Sequence, residues 1–163
     1  MHLLLLEHLL HLLRRVLRLL LHLHFLRTAR RYWRADALRD STGSNLTFGK
    51  ALVGSLALSR RFLRDLPEGQ MVGVLLPAST AGALVNVGLS FAGKVPVNLN
   101  FTLGDAAMNS AIAQCGIKAI ITSRRFREKA KIEPRDGMVF IEDIAGRISK
   151  LEKLRLALAA AIV

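Results

Sequence analysis

The side chains able to do chemistry are unevenly placed. All five histidines (His2, His8, His11, His22, His24) lie in the first 24 positions, and the single cysteine is Cys115. A Ser/His/Asp arrangement in the later part of the chain is therefore excluded, because no imidazole is there to take the serine proton. One cysteine allows neither an internal disulfide nor a multi-cysteine metal site, so nothing points to an oxidising compartment, and a buried apolar thiol is its simplest role. The early histidines stand near one another, but the stretch has no cysteine and only Glu7 as a carboxylate, so no metal site is expected.

Gly88-Leu-Ser-Phe-Ala-Gly93-Lys94 matches the first seven positions of a phosphate-binding loop. Val95 stands where a hydroxyl for magnesium is needed, and the segment leaves a helix for a strand, the reverse of what that loop requires. It reads as a chance match. The sequence has neither a G-x-G-x-x-G fingerprint nor a G-x-S-x-G nucleophile elbow. Asn45-Leu-Thr47 and Asn100-Phe-Thr102 have the form of glycosylation sequons, which matter only in a secreted chain. The basic run Arg124, Arg125, Arg127, Lys129 and Lys131 is either a solvated helix face or a docking surface for an acidic carrier protein or a phospholipid surface. Nucleic acid is not expected as a partner, since there is no helix-turn-helix signal and no aromatic platform for stacking bases.

These groups sit in a chain of 163 residues with 52% hydrophobic and 22% charged residues, a composition that excludes intrinsic disorder and suits one domain. Aromatics are 6%, so aliphatic residues must build the core. The net charge of +12 predisposes the chain towards anionic surfaces. Half of that excess lies in residues 1–34, which hold seven arginines and one acid. No membrane span is expected there, because Glu7, Arg14, Arg15 and Arg18 interrupt any window of about 20 residues. The spacing of Glu7, His8, His11, Arg14, Arg15, Arg18 and His22 by three and four predicts an amphipathic helix with a wide leucine face. With Trp33 just after it, the strip of Arg14, Arg15 and Arg18 fits a helix lying on an anionic membrane surface. Alternatively, the leucine face packs on a neighbouring domain.

Composition thus divides the chain into residues 1–35, a leucine- and arginine-rich helix, and residues 36–163. In the second part a hairpin is predicted around Asp40–Asn45, then helices over 49–66, 81–92, 105–114, 125–131 and 149–163, and strands over 71–77, 95–99, 118–122 and 138–141. Strand and helix alternating at this spacing predict an α/β fold of three layers with an open, mainly parallel sheet. The last helix runs apolar to Val163 with no following strand to cover, as though the domain were truncated there.

Four segments in order carry a family resemblance: Asp40-Ser-Thr-Gly-Ser-Asn-Leu-Thr-Phe-Gly49, Val72-Gly-Val-Leu-Leu-Pro77, Ala92-Gly-Lys-Val-Pro-Val-Asn-Leu-Asn100 and Cys115-Gly-Ile-Lys-Ala-Ile-Ile-Thr-Ser123. Through them residues 36–163 resemble the N-terminal part of an AMP-binding, adenylate-forming acyl-CoA/acyl-carrier-protein synthetase domain. The wording is most similar to the bifunctional acyl-carrier-protein synthetase/acylglycerophosphoethanolamine acyltransferase branch. The resemblance implies activation of a fatty acid by ATP, with magnesium, to an acyl-adenylate and transfer to a phosphopantetheine thiol, in fatty acid and phospholipid metabolism. It also implies a Ser/Thr/Gly-rich phosphate loop, a magnesium carboxylate, an acid for the ribose and a late lysine, none of which has a counterpart here. No catalytic, cofactor-binding or metal-binding residue is therefore assigned, and the chain by itself is expected to be inactive. Its expected partners are the remainder of the synthetase domain, an acyl carrier protein and an anionic membrane, at the cytoplasmic side of the inner membrane. The competing reading is a non-catalytic, membrane-associated interaction protein that binds a partner subunit or an acyl carrier protein.

Overall fold

The structure is a computed structural model that describes residues 2–162, and for residues 2–5, 7, 8, 11, 14, 15, 18, 161 and 162 the backbone alone. A long helix α1 (His2–Arg31) leads into a hairpin of β1 (Asp36–Arg39) and β2 (Asn45–Thr47). Then follow α2 (Phe48–Asp65), β3 (Met71–Leu75), α3 (Thr80–Phe91), β4 (Val95–Asn98), a 3-10 turn at Phe101–Leu103 and α4 (Gly104–Gln114). The chain continues through β5 (Ile120–Thr122), α5 (Arg124–Lys129), β6 (Met138–Phe140), α6 (Ile141–Gly146) and α7 (Lys150–Ile162).

Local chemistry sets these boundaries. Thr47, Ser79 and Ser123 are the N-caps of α2, α3 and α5, each hydroxyl accepting the backbone N–H three residues on and so satisfying a donor the helix itself cannot. Gly93 and Gly116 follow α3 and α4 with positive φ, where the left-handed turn that ends a helix needs a residue without Cβ.

The four-stranded sheet has the order β4-β3-β5-β6, all parallel, with Gly73 paired to Val97 on one side and to Ile120 on the other. Alternate residues of β3 and β5 feed opposite faces, the period-2 rule of a strand. Val72, Val74, Ala119 and Ile121 pack with Leu58 and Phe62 of α2, Val85 and Leu89 of α3 and Ile144 of α6. Leu75 and Ile120 turn the other way, towards Met108 of α4 and Phe126 of α5. The predicted three layers are thus present.

A third apolar cluster lies outside this sandwich and changes the reading of α1. Ala29 of α1 is fully buried against Leu52 of α2 and Ala160 of α7, with Phe25, Leu26, Trp33 and Phe91 around them. Arg30 Nε donates to the Ala160 carbonyl at 3.0 Å. The division at residue 35 is therefore one of composition, whereas packing joins the last turns of α1 to the α/β unit. His22, read as part of the exposed basic strip, is half-buried: its Nε2 lies 2.8 Å from Ser90 Oγ and its ring 4.9 Å from that of Phe91. Before that point the helix leaves the body, and the described leucines from Leu6 to Leu23 are 39–63% exposed. No helix among the described residues is long and apolar enough to cross a membrane.

Two elements have no counterpart among the sequence expectations, the 3-10 turn at Phe101–Leu103 and α6. α6 lies where the strand was expected to end, and its Glu142 and Asp143 favour the positive end of a helix dipole while Ile144 anchors it in the core.

Candidate functional site

In an open parallel sheet, ligands bind beyond the carboxyl ends of the strands near the point where strand order reverses. Here the chain steps from β3 out to β4 and returns to β5 on the opposite side of β3, so that point lies at the ends of β3 and β5. Thr122, fully buried at the end of β5, donates from Oγ1 to the Leu75 carbonyl at 2.9 Å and ties the two strand ends together. Beside them opens a cleft of about 710 Å³ between the hairpin, the Leu76–Pro77–Ala78 loop, the first turns of α3 and Asn98 of β4.

Asp40 organises one wall of this cleft. Its Oδ1 accepts from the Thr42 hydroxyl at 2.6 Å and the Thr42 backbone N–H at 2.9 Å, closing the hairpin turn. Its Oδ2 accepts from the Thr80 backbone N–H at 2.9 Å and the Thr80 hydroxyl at 3.0 Å, which fastens the hairpin to the N-terminus of α3. Hydrogen bonds from the Thr42 side chain, then the Thr80 backbone, hold this carboxyl well below the usual carboxylate range against an opposing desolvation. On the other wall, Asn86 Nδ2 donates to the Gly82 carbonyl at 2.9 Å and to Asn98 Oδ1 at 3.2 Å, joining α3 to β4.

The residues singled out from sequence do not converge on this cleft. Arg14, Arg15 and Arg18 lie on the α1 backbone, and their side chains lie outside the described residues. Trp33 packs at the junction of α1 and α2: a Cβ on Gly49 would come within 2.5 Å of its ring, so glycine there makes room for the indole. In the basic run Arg125, Lys129 and Lys131 are exposed and without an ion pair among the described residues. Arg124 spends its guanidinium on Asp143, at 2.9 and 2.7 Å, and lies 4.3 Å above the Phe140 ring. That bidentate bond holds Asp143 below and Arg124 above their ordinary pKa values. Arg127 is half-buried. Lys94 of the phosphate-loop-like segment donates from Nζ to the carbonyls of Gly69 at 2.9 Å and Pro67 at 3.3 Å, a structural tie between two loops.

The sheet order and the layers define an open parallel α/β unit, and residues 25–155 match the AMP-binding enzyme family. The chain belongs to that family. Among similar solved structures are VinN with 3-methylaspartate (TM-score 0.64, 21% identity, covering 85% of this chain and 38% of VinN). Another is the N-terminal subdomain of Klebsiella oxytoca NpsA with 3-hydroxyanthranilyl-AMSN (0.66, 14%, covering 77% and 31%). A third is the nonribosomal peptide synthetase FmoA3 in its AMPPNP-bound form (0.65, 18%, covering 77% and 14%). These likenesses establish the fold, and the chain spans well under half the length of each. The family match is to AMP-binding enzymes at large; it does not single out the acyl-carrier-protein synthetase/acyltransferase branch.

The residues in hand do not fit a magnesium–nucleotide site. No group of three or more His, Cys, Asp or Glu side chains among the described residues could hold a metal ion. Asp40, the one carboxylate in the cleft, has both oxygens taken by five donors from Thr42, Ser44 and Thr80. The α3 N-terminus is no anion cradle either, since Asp40 takes the Thr80 N–H, and Ser79 takes those of Gly82 and Ala83.

The sequence reading missed Asp40, Thr80, Asn86, Asn98 and Thr122. The hairpin around Asp40 is legible in the sequence, but nothing local joins it to Thr80, 40 positions on.

Proposed function

We propose that this chain forms the N-terminal part of an ATP-dependent acid–thiol ligase that activates a fatty acid as its adenylate for transfer to an acyl carrier protein or coenzyme A. The family match over residues 25–155, lying on a parallel sheet of the order β4-β3-β5-β6, carries this reading. The phosphate loop, the magnesium carboxylate, the ribose-binding acid and the late lysine then come from the remainder of the domain. The part played by these residues is to frame the site: Asp40 and Thr80 fix the hairpin wall, and Thr122 ties the end of β5 to that of β3. The fatty acid follows from the resemblance of the Val72–Pro77 and Ala92–Asn100 segments to acyl synthetases, and so does the branch with an acyltransferase.

A membrane location accompanies this reading. The exposed leucines of α1, on a helix carrying an excess of arginine, suit attachment at the cytoplasmic face of the inner membrane, and exposed Arg125 and Lys129 suit an acidic carrier protein. The same exposed helix is what favours the rival reading, a non-catalytic interaction protein. Acid-dependent exchange of labelled pyrophosphate into ATP separates the two. A ligase gives exchange with fatty acids once the remainder of the domain is supplied; an interaction protein gives none with any acid.

A further inference from the structure

On the face of α2 turned away from the sheet, a groove of about 740 Å³ runs between the hairpin and α7. Its walls are apolar, with Trp33, Leu46, Val53, Leu154 and Ala157 among them. Every charged residue lining it is a cation: Arg34 after α1, Lys50 in the first turn of α2 and Lys153 on α7. None of the three forms an ion pair among the described residues, and Glu152, next to Lys153 in sequence, is engaged with Arg61 instead at 3.4 Å. Gly54 and Lys153 also line a second cavity of about 190 Å³, whose remaining walls are apolar, including Ala57, Leu84, Ile141, Ala145 and Ile148. The two cavities share Gly54 and Lys153 as lining residues, and a Cβ on Gly54 would stand 3.2 Å from Leu84 Cδ1, a wall of the second.

We propose that this pair of cavities binds a single-chain amphiphile with a phosphate monoester head. Three cations facing no carboxylate suit a head group of charge about −1.5 to −2 better than a carboxylate of single charge. The second cavity, about 190 Å³ and apolar apart from Lys153, is of a size to take the last carbons of an alkyl tail. No residue lining this site lines the strand-end cleft, and the proposal is independent of the adenylation reading.

Trp33 is the only tryptophan and lines the groove, so its fluorescence reports occupancy directly. Octyl phosphate titrated into the 163-residue chain is expected to give a saturable change, with an affinity about fivefold above octanoate and at least tenfold above octanol and inorganic phosphate. Lys50→Gln with Lys153→Gln should weaken it about tenfold, at an unchanged melting temperature. Each buried CH₂ is worth about fourfold, so burial of the four extra carbons should favour octyl over butyl phosphate by roughly 250-fold. Ala145→Leu, on an exposed position that lines the second cavity, should erase most of that chain-length preference. Octanoate binding as tightly as octyl phosphate, or indifference to the two lysines, would overturn the head-group assignment. A chain-length preference intact in Ala145→Leu would overturn the tail assignment.

Discussion

Replacing Thr122 by valine tests the strand-end tie with almost no change of shape. Thr122 is fully buried, and its hydroxyl donates to the Leu75 carbonyl at 2.9 Å. Valine keeps the β-branched outline, so no cavity opens, but a buried carbonyl loses a donor at a cost of about 1–3 kcal/mol. Exchanging hydroxyl for methyl in an apolar site returns about 0.8 kcal/mol at most. The loss outweighs the gain, and the net expectation is a destabilisation of about 0.2–2 kcal/mol. In a domain of this size each kcal/mol shifts the melting temperature by about 2–4 °C, so the midpoint of thermal unfolding followed by circular dichroism should fall, by up to about 8 °C. A Thr122→Val chain that melts at or above the parent temperature would show that the hydroxyl contributes nothing and that β3 and β5 are held by apolar packing alone.

Other substitutions probe the hairpin, the sheet edge and α1. Gly137 has φ +77°, and a Cβ there would stand 2.5 Å from the Lys118 carbonyl oxygen. Gly137→Ala should therefore cost about 2–4 kcal/mol, read as a lower urea midpoint, from backbone strain and a clash that neither strand can relieve cheaply. Because the folded-state pKa of Asp40 is depressed, its stabilisation is present above the ordinary carboxylate pKa of about 3.9 and is lost as pH falls through the folded value. Below about pH 4 the parent should lose stability more steeply than Asp40→Asn in urea titrations, and parallel pH profiles would contradict the role given to the carboxylate. Vesicles containing anionic lipid should retain the chain, and reversing Arg14, Arg15 and Arg18 to glutamate removes about 1 kcal/mol per arginine, a loss of roughly 100-fold in partitioning. Unchanged retention in a sedimentation assay would remove the membrane role of α1.

Most of the fold was legible because its signals are local. The continuous apolar run Val72–Leu75 is what a strand buried on both faces requires, and Thr47, Ser79 and Ser123 mark helix starts by chemistry that acts over three residues. α6 escaped because Ile141–Gly146 is too short to show a helical period and follows directly on an apolar strand. His22 was misread for a different reason: in a helix whose other faces are leucine, a polar residue looks like the solvent side, and only the position of Ser90 on α3 turns it inward. The Asp40–Thr80 bond and the groove lined by Trp33, Lys50 and Lys153 depend on residues brought together by topology, which no local pattern reveals.

The most direct test of the account is acid-dependent ATP–pyrophosphate exchange, measured on a polypeptide that joins residues 1–163 to whatever the coding sequence specifies beyond Val163, beside the 163-residue chain alone. The account predicts exchange stimulated by fatty acids in the longer polypeptide, which should carry a Ser/Thr/Gly-rich loop ending in lysine, and none in the shorter one. A stop codon directly after Val163, or a longer polypeptide that exchanges with no acid, would contradict the assignment as a ligase.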